Sequence, residues 1–138
     1  MIGNIMLGYD DSEPAKKALD YAVDLAAKYG SNLEVVSVVR PPEYLSDRDS
    51  LAVVDNTRNV HKRMLEGLSP KFDEAGVNAS YQVLVGNPGD QILQHAERAN
   101  VDLIVVGHTG KTFLEALRMG SVSKQVMQNA PCAVLVVR

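Results

Sequence analysis

The 138-residue sequence predicts an open, doubly wound, five-stranded parallel α/β sheet with helices on both faces. Three observations carry that prediction. Short apolar runs recur at Ile5–Tyr9, Leu33–Val39, Tyr81–Val85, Leu103–Val106 and Ala133–Val137. Their nearly continuous Val, Ile and Leu content suits parallel strands covered on both sides. Segments of helical period separate them, and strand–helix alternation winds right-handed crossovers into a Rossmann-like sheet.

The elements follow in order. After the first strand, Ser12 can cap a helix whose apolar side is Ala15, Ala18, Leu19, Ala22 and Ala26, and Gly30 can stop it. The second strand leads into an irregular stretch, "RPPEYLSDRDS", read as a loop. A second helix is expected from about Leu51 to Ala75, with Val60, Met64, Leu68 and Phe72 on one face and Gly76 at its end. Beyond the third strand, Asn87-Pro88-Gly89-Asp90 reads as cap, first helical residue and acidic first turn, ahead of Ile92, Leu93 and Ala96. A last helix starts near Ser121 and carries Val122, Val126 and Met127. A chain of this length suits one domain spanning residues 1–138.

Composition narrows the function. A formal net charge of -3 excludes a field that gathers nucleic acid or anionic membrane. No apolar run approaches the ~18 residues of a membrane span, and "MIGNIMLGYDD" lacks a basic leader region, so a cytoplasmic protein is expected. Cys132 is the single cysteine, which leaves no disulfide framework or zinc spacing. No Gly-x-Ser-x-Gly turn, HExxH or Cys–His pairing is present to nominate a catalytic group.

Doubly wound sheets bind ligands beyond the carboxyl ends of their strands. The stretch there that bears chemistry is "GHTGKTFLEALRMGS", residues Gly107 to Ser121. Its Gly110-Lys111-Thr112 mimics the end of a Walker A loop, but that pattern requires glycine where Val105 stands, and it belongs after a first strand. A second grouping survives. Gly107 and Gly110 follow the fourth strand directly, and Gly120-Ser121 opens the last helix. Backbone N–H groups of Ser121, Val122 and Ser123 at a helix start, with the Ser121 and Ser123 hydroxyls, make a phosphate cradle in two halves. A plain turn with a glycine separator is the alternative.

The spacing G-x2-G-x9-G-S resembles the ATP-binding signature of the universal stress protein family. The likeness covers nearly the whole chain, from "NIMLGYDDSEPAKKALDYA" through "VLVGNPGDQIL" to "DLIVVGHTG" and "MGSVSKQVMQNAPCAVLVVR". It implies that Gly8, Tyr9 and Asp10 line a nucleotide site, with Asp10 on the ribose hydroxyls and Val38 against adenine. Gly107, Thr109, Gly110, Gly120, Ser121, Val122 and Ser123 would surround the phosphates, and His108 shares the variable pair with Thr109. The implied ligand is ATP, with ADP or AMP as alternative occupants and Mg2+ held mainly by the phosphates. The implied assembly is a homodimer through the last strand, Ala133–Val137. The implied role is a nucleotide-dependent stress-response module; a slow ATP hydrolase and a nucleotide-free interaction module are the competing functions. Two positions depart from the family pattern: Asp11 stands where glycine is frequent, and Ala133 where proline is.

Other residues are read as surface. His61 and His95 show no ligand spacing and are expected as solvated helix residues. Lys111 and Arg118 are expected as exposed cations. Asp10-Asp11 and Asp55 resemble the acidic set of a response-regulator receiver, but no lysine adjoins Pro131.

Overall fold

The computed structural model describes residues 1–43, 47–108 and 121–138. Among these, the order is β1 (Asn4–Gly8), α1 (Glu13–Tyr29), β2 (Asn32–Val39), α2 (Asp47–Glu66), α3 (Ser69–Ala75), β3 (Asn78–Val85), α4 (Pro88–Arg98), β4 (Leu103–Gly107), α5 (Ser121–Asn129) and β5 (Ala133–Val137). The strands form one five-stranded sheet in the order β3-β2-β1-β4-β5, parallel throughout. Strand order therefore reverses between β1 and β4, and a crevice opens beyond their carboxyl ends.

Side chains that alternate along each strand divide the core between two faces. Ile5, Leu7, Leu33, Val35, Leu103 and Val105 face the side covered by α1, α2 and α3. Met6, Val36, Ile104 and Val106 face α4 and α5, meeting Ile92, Ala96 and Val126. Helix α1 buries the alanine stripe read from its sequence. It starts on Ser12, whose Oγ accepts from Ala15 N at 3.2 Å, and stops on Gly30 at φ 63. At the opposite end of the sheet, Asn4, Asn32 and Asn78 stand in register. Asn78 donates to Asn32 at 2.8 Å and Asn32 to Asn4 at 3.4 Å, which holds three strand starts level. The Asp102 carboxylate accepts from the N–H groups of Gly3 and Asn4, which ties the start of β4 to that row.

The expectations for the second helix and for His95 need correction. The single helix expected over 51–75 is two helices, and α2 begins within the stretch read as loop. Pro70 explains the break: it has no N–H for the Glu66 carbonyl, and the Ser69 hydroxyl donates to that oxygen instead, at 3.0 Å. Val60 is then 55% exposed, whereas Phe72 is 2% exposed and packs near Tyr81 with ring centroids 6.1 Å apart. The last helix turns Val126 inward and leaves Met127 exposed. His95 is not solvated. Its Nε2 lies 2.5 Å from Glu34 Oε1, a half-buried pair that fastens α4 onto β2.

Val60 and Phe72, which a spacing of four places on one face, should differ sharply. Phe72→Ala should cost about 3–5 kcal/mol in urea denaturation, and Val60→Ala should stay within about 0.5 kcal/mol of the parent. Equal costs would contradict the break at Ser69-Pro70.

Candidate functional site

The crevice at the β1/β4 reversal holds a cavity of about 300 Å³, at the small end of ligand pockets. Its walls come from both faces of the sheet. Gly8, Val38, Ile92, Val106 and Val122 line the side under α4 and α5, and Tyr9, Val39, Thr57 and His61 line the side under α2. Asp10, Arg40 and Gly107 edge it.

The β1 end is a tight local device. Asp10 Oδ1 accepts from Ser12 N at 3.0 Å and from Ser12 Oγ at 2.5 Å. Oδ2 is the oxygen with acceptor capacity to spare. Asp11 has φ 64, the left-handed region in which glycine carries no Cβ penalty. Aspartate tolerates it better than most residues, and Asp11 Oδ1 also accepts from the Tyr9 hydroxyl at 3.1 Å. The frequent glycine of the resembled pattern thus has a backbone reason. Burial and then the bond to Asp11 raise the Tyr9 phenol well above its ordinary range, so it remains a neutral donor.

Two glycines have packing reasons of their own. A Cβ on Gly107 would sit 2.8 Å from the Pro14 carbonyl carbon and 2.9 Å from its oxygen. A Cβ on Gly8 would crowd Ile92 Cδ1 at 3.2 Å and Val106 Cγ1 at 3.3 Å. The Gly107 contact lets the start of α1 pass against the end of β4. Beyond it, His108 N donates to Val137 O at 2.7 Å, and the Ser123 hydroxyl donates to His108 O at 3.1 Å. Ser123 therefore closes the base of α5 onto β4, with its one hydroxyl proton already engaged.

Of the residues expected at the site, Gly8, Tyr9, Asp10, Val38, Gly107 and Val122 meet at one cavity. Ser121 begins α5, and His108 and Ser123 bond to each other beside it. Thr109, Gly110 and Gly120 lie outside the described residues, as do Lys111, Arg118 and the Ser121 side chain. His61 was expected in solvent and is instead part of the wall. Its Nδ1 lies 2.7 Å from the Oγ of Ser37, which is 2% exposed. A helical face drawn through Thr57, His61, Met64, Leu65 and Leu68 holds it; the face drawn through Val60 does not. Thr57 donates its hydroxyl to Val53 O at 2.8 Å.

Among the described residues, the starts of α1, α4 and α5 meet the cavity. Those of α1 and α4 are satisfied: Ser12 and Asn87 cap them, and Glu13 and Asp90 supply negative charge in the first turn. Helix α5 has no acidic residue in its first turn. A helix start has N–H groups without intrahelical partners and carries the positive pole of the dipole, so α5 favours an anion there. The remaining lining is largely aliphatic, which suits a flat, weakly polar ring system. Among the described residues, no group of three His, Cys, Asp or Glu could hold a metal ion, and no helix is long and apolar enough to cross a membrane.

The universal stress protein family model matches residues 1–138, and the chain belongs to that family. It is 35% identical over 150 residues to universal stress protein YxiE of Bacillus subtilis, covering 100% of both chains. The universal stress protein UspA structure from Lactobacillus plantarum matches with a TM-score of 0.90 at 27% identity, over 99% of this chain and 98% of the other. A family protein from Arabidopsis thaliana, solved with AMP bound, shares the fold at a TM-score of 0.68 and 22% identity, over 98% of this chain and 90% of that one.

Two outcomes test this geometry. Gly107→Ala should destabilise the chain without ligand by about 1–3 kcal/mol, because the clash is with backbone. Unchanged stability would free Gly107 from its packing role. Burial also lowers the His61 pKa, so the unfolded chain takes up this proton first. The stability it contributes is whole above about pH 6.5 and is lost as pH falls through the lowered folded-state value. Denaturation midpoints should accordingly fall more steeply with acid in the parent than in His61→Gln. Parallel slopes would contradict the buried, neutral ring.

Proposed function

We propose that this family member binds an adenine nucleotide across the β1/β4 crevice and acts as a nucleotide-dependent regulatory module in the stress response. ATP is the first occupant considered, with ADP and AMP as alternatives, and any Mg2+ held mainly by the phosphates. One observation carries the proposal. Of the three helix starts at the cavity, α1 and α4 carry acid in their first turns and α5 carries none. Phosphate is proposed to sit against the N–H groups of Ser121, Val122 and Ser123, with Gly107, His108, Thr109, Gly110 and Gly120 around it. The base runs toward Val38, past Gly8 and Tyr9, and Asp10 offers its spare oxygen to the ribose. The AMP held by the Arabidopsis relative supports the ligand class.

A second proposal concerns assembly. Among the described residues, strand β5 pairs with β4 alone and stands at the sheet edge, and its Val134, Leu135 and Val136 are only partly covered. Such an edge invites pairing, and a homodimer through Ala133–Val137 would cover it. A monomer mass in light scattering at micromolar concentration would contradict this.

Calorimetry with ATP and adenosine tests the ligand reading. The parent should bind ATP at one site per chain, more tightly than adenosine. Ser121→Asp places a carboxylate in the α5 first turn and should weaken ATP by about tenfold while leaving adenosine nearly unchanged, since a charge near a helix start is worth up to about 2 kcal/mol. Equal weakening of both ligands would contradict phosphate at α5.

A further inference from the structure

We propose that His61, held by Ser37 on the α2 wall, is a specificity-determining residue that accepts a hydrogen bond from the 6-amino group of the bound purine. The inference rests on the nucleotide reading above and names the side chain that would select adenine within it.

The direction of the ligand follows from topology. Phosphate at the start of α5 lies at the β4 end of the crevice. In the strand order, β1 separates β4 from β2, so a nucleotide anchored there extends its base over β1 toward the end of β2. The cavity wall at that end is built by Val38 and Val39 from β2, by Arg40 just beyond it, and by Thr57 and His61 from α2. Val38 and Val39 offer apolar surface, and the Thr57 hydroxyl gives its proton to Val53 O and keeps only acceptor capacity. Arg40 and His61 supply the remaining side-chain polarity.

The chemistry of those two groups is unequal. Arginine is charged at all working pH values and only donates. The His61 ring is anchored through Nδ1 to the buried Ser37 hydroxyl, which fixes its orientation and leaves Nε2 for a ligand. Burial holds its pKa below the ordinary histidine value, so the ring is neutral at pH 7 and one nitrogen carries a lone pair. With Nδ1–H donating to Ser37 Oγ, Nε2 is the acceptor. Arg40 and His61 then present one donor and one acceptor, the complement of an adenine edge with its amino group beside a ring nitrogen. The opposite tautomer would present two donors, which suit the O6 and N7 acceptors of a 6-oxo purine. Ser37 is the positioning residue: its hydroxyl orients the ring in either form, accepting from Nδ1–H or donating to Nδ1, and the ligand preference decides between the two.

Three monophosphates test this: AMP and the unsubstituted purine riboside monophosphate, which differ only at purine carbon 6, and IMP, which differs there and also carries a proton on N1. The parent should bind AMP about tenfold more tightly than the unsubstituted ligand, the worth of one good hydrogen bond, and more tightly than IMP. In His61→Ala, AMP should weaken to the level of the unsubstituted ligand, whose own affinity should stay the same. That equalisation is a readout a merely structural role would not produce. Ser37→Ala should erode the same ratio, and denaturation curves would establish that both variants fold. An unchanged AMP ratio in a folded His61→Ala would overturn the proposal and leave the nucleotide site standing. A parent that prefers IMP would overturn it in favour of the other tautomer. A parent that binds none of the three would overturn the nucleotide reading itself.

Discussion

The approach of the Pro14 backbone to Gly107 is the constraint on which the site depends. A side chain at position 107 would have to occupy space held by the Pro14 carbonyl. Because none is there, the first turn of α1 lies directly against the end of β4. The loop Gly8–Ser12 is thereby drawn to the reversal of strand order. Asp10 and Ser12 lock that loop through their own hydrogen bonds, and the Ser123 hydroxyl brings the start of α5 to the same place through His108 O. Packing thus assembles the crevice before any ligand contributes.

The charge arrangement follows from the same assembly. A parallel sheet points the starts of its crossover helices at one end, and each start is an electropositive pole. The chain places acid in the first turns of α1 and α4 and none in the first turn of α5. An overall charge of -3 does not oppose this, because backbone dipoles act over the first turn while net charge acts over the surface. The far side of the cavity differs in kind. It is a wall of aliphatic side chains edged by Thr57 and Arg40, with a neutral imidazole fixed from behind by a serine. An anion at one end and a weakly polar ring at the other is what this asymmetry accommodates.

Much of the fold was legible in the sequence, because strands buried on both faces must be nearly continuous in Val, Ile and Leu. Helix α1 was legible to the residue at its cap and stop, since Ser12 and Gly30 perform local chemistry. Helix α2 was not. A face drawn at a constant spacing of four residues rotates around a 3.6-residue helix, so it passed through Val60 and missed His61. The break at Ser69-Pro70 carried a signal in proline, which the continuing apolar pattern masked. His95 pairs with Glu34 across sixty-one positions of sequence, a contact that no local pattern encodes. At the site, the resemblance supplied Gly8, Tyr9, Asp10, Val38, Gly107 and Val122 as neighbours, and they are neighbours. It gave no reason for Gly107 or for the glycine preferred at Asp11; both reasons are steric and belong to the backbone. Thr109, Gly110 and Gly120 lie outside the described residues.

The most direct test of the account is a pair of amide chemical-shift maps of the chain, one titrated with AMP and one with adenosine. Both ligands should move Gly8, Val38 and Arg40, and AMP alone should add large shifts at Val122 and Ser123. Shifts confined to the Asn4, Asn32 and Asn78 end of the sheet, or no shifts at saturating AMP, would contradict a nucleotide site at the β1/β4 reversal.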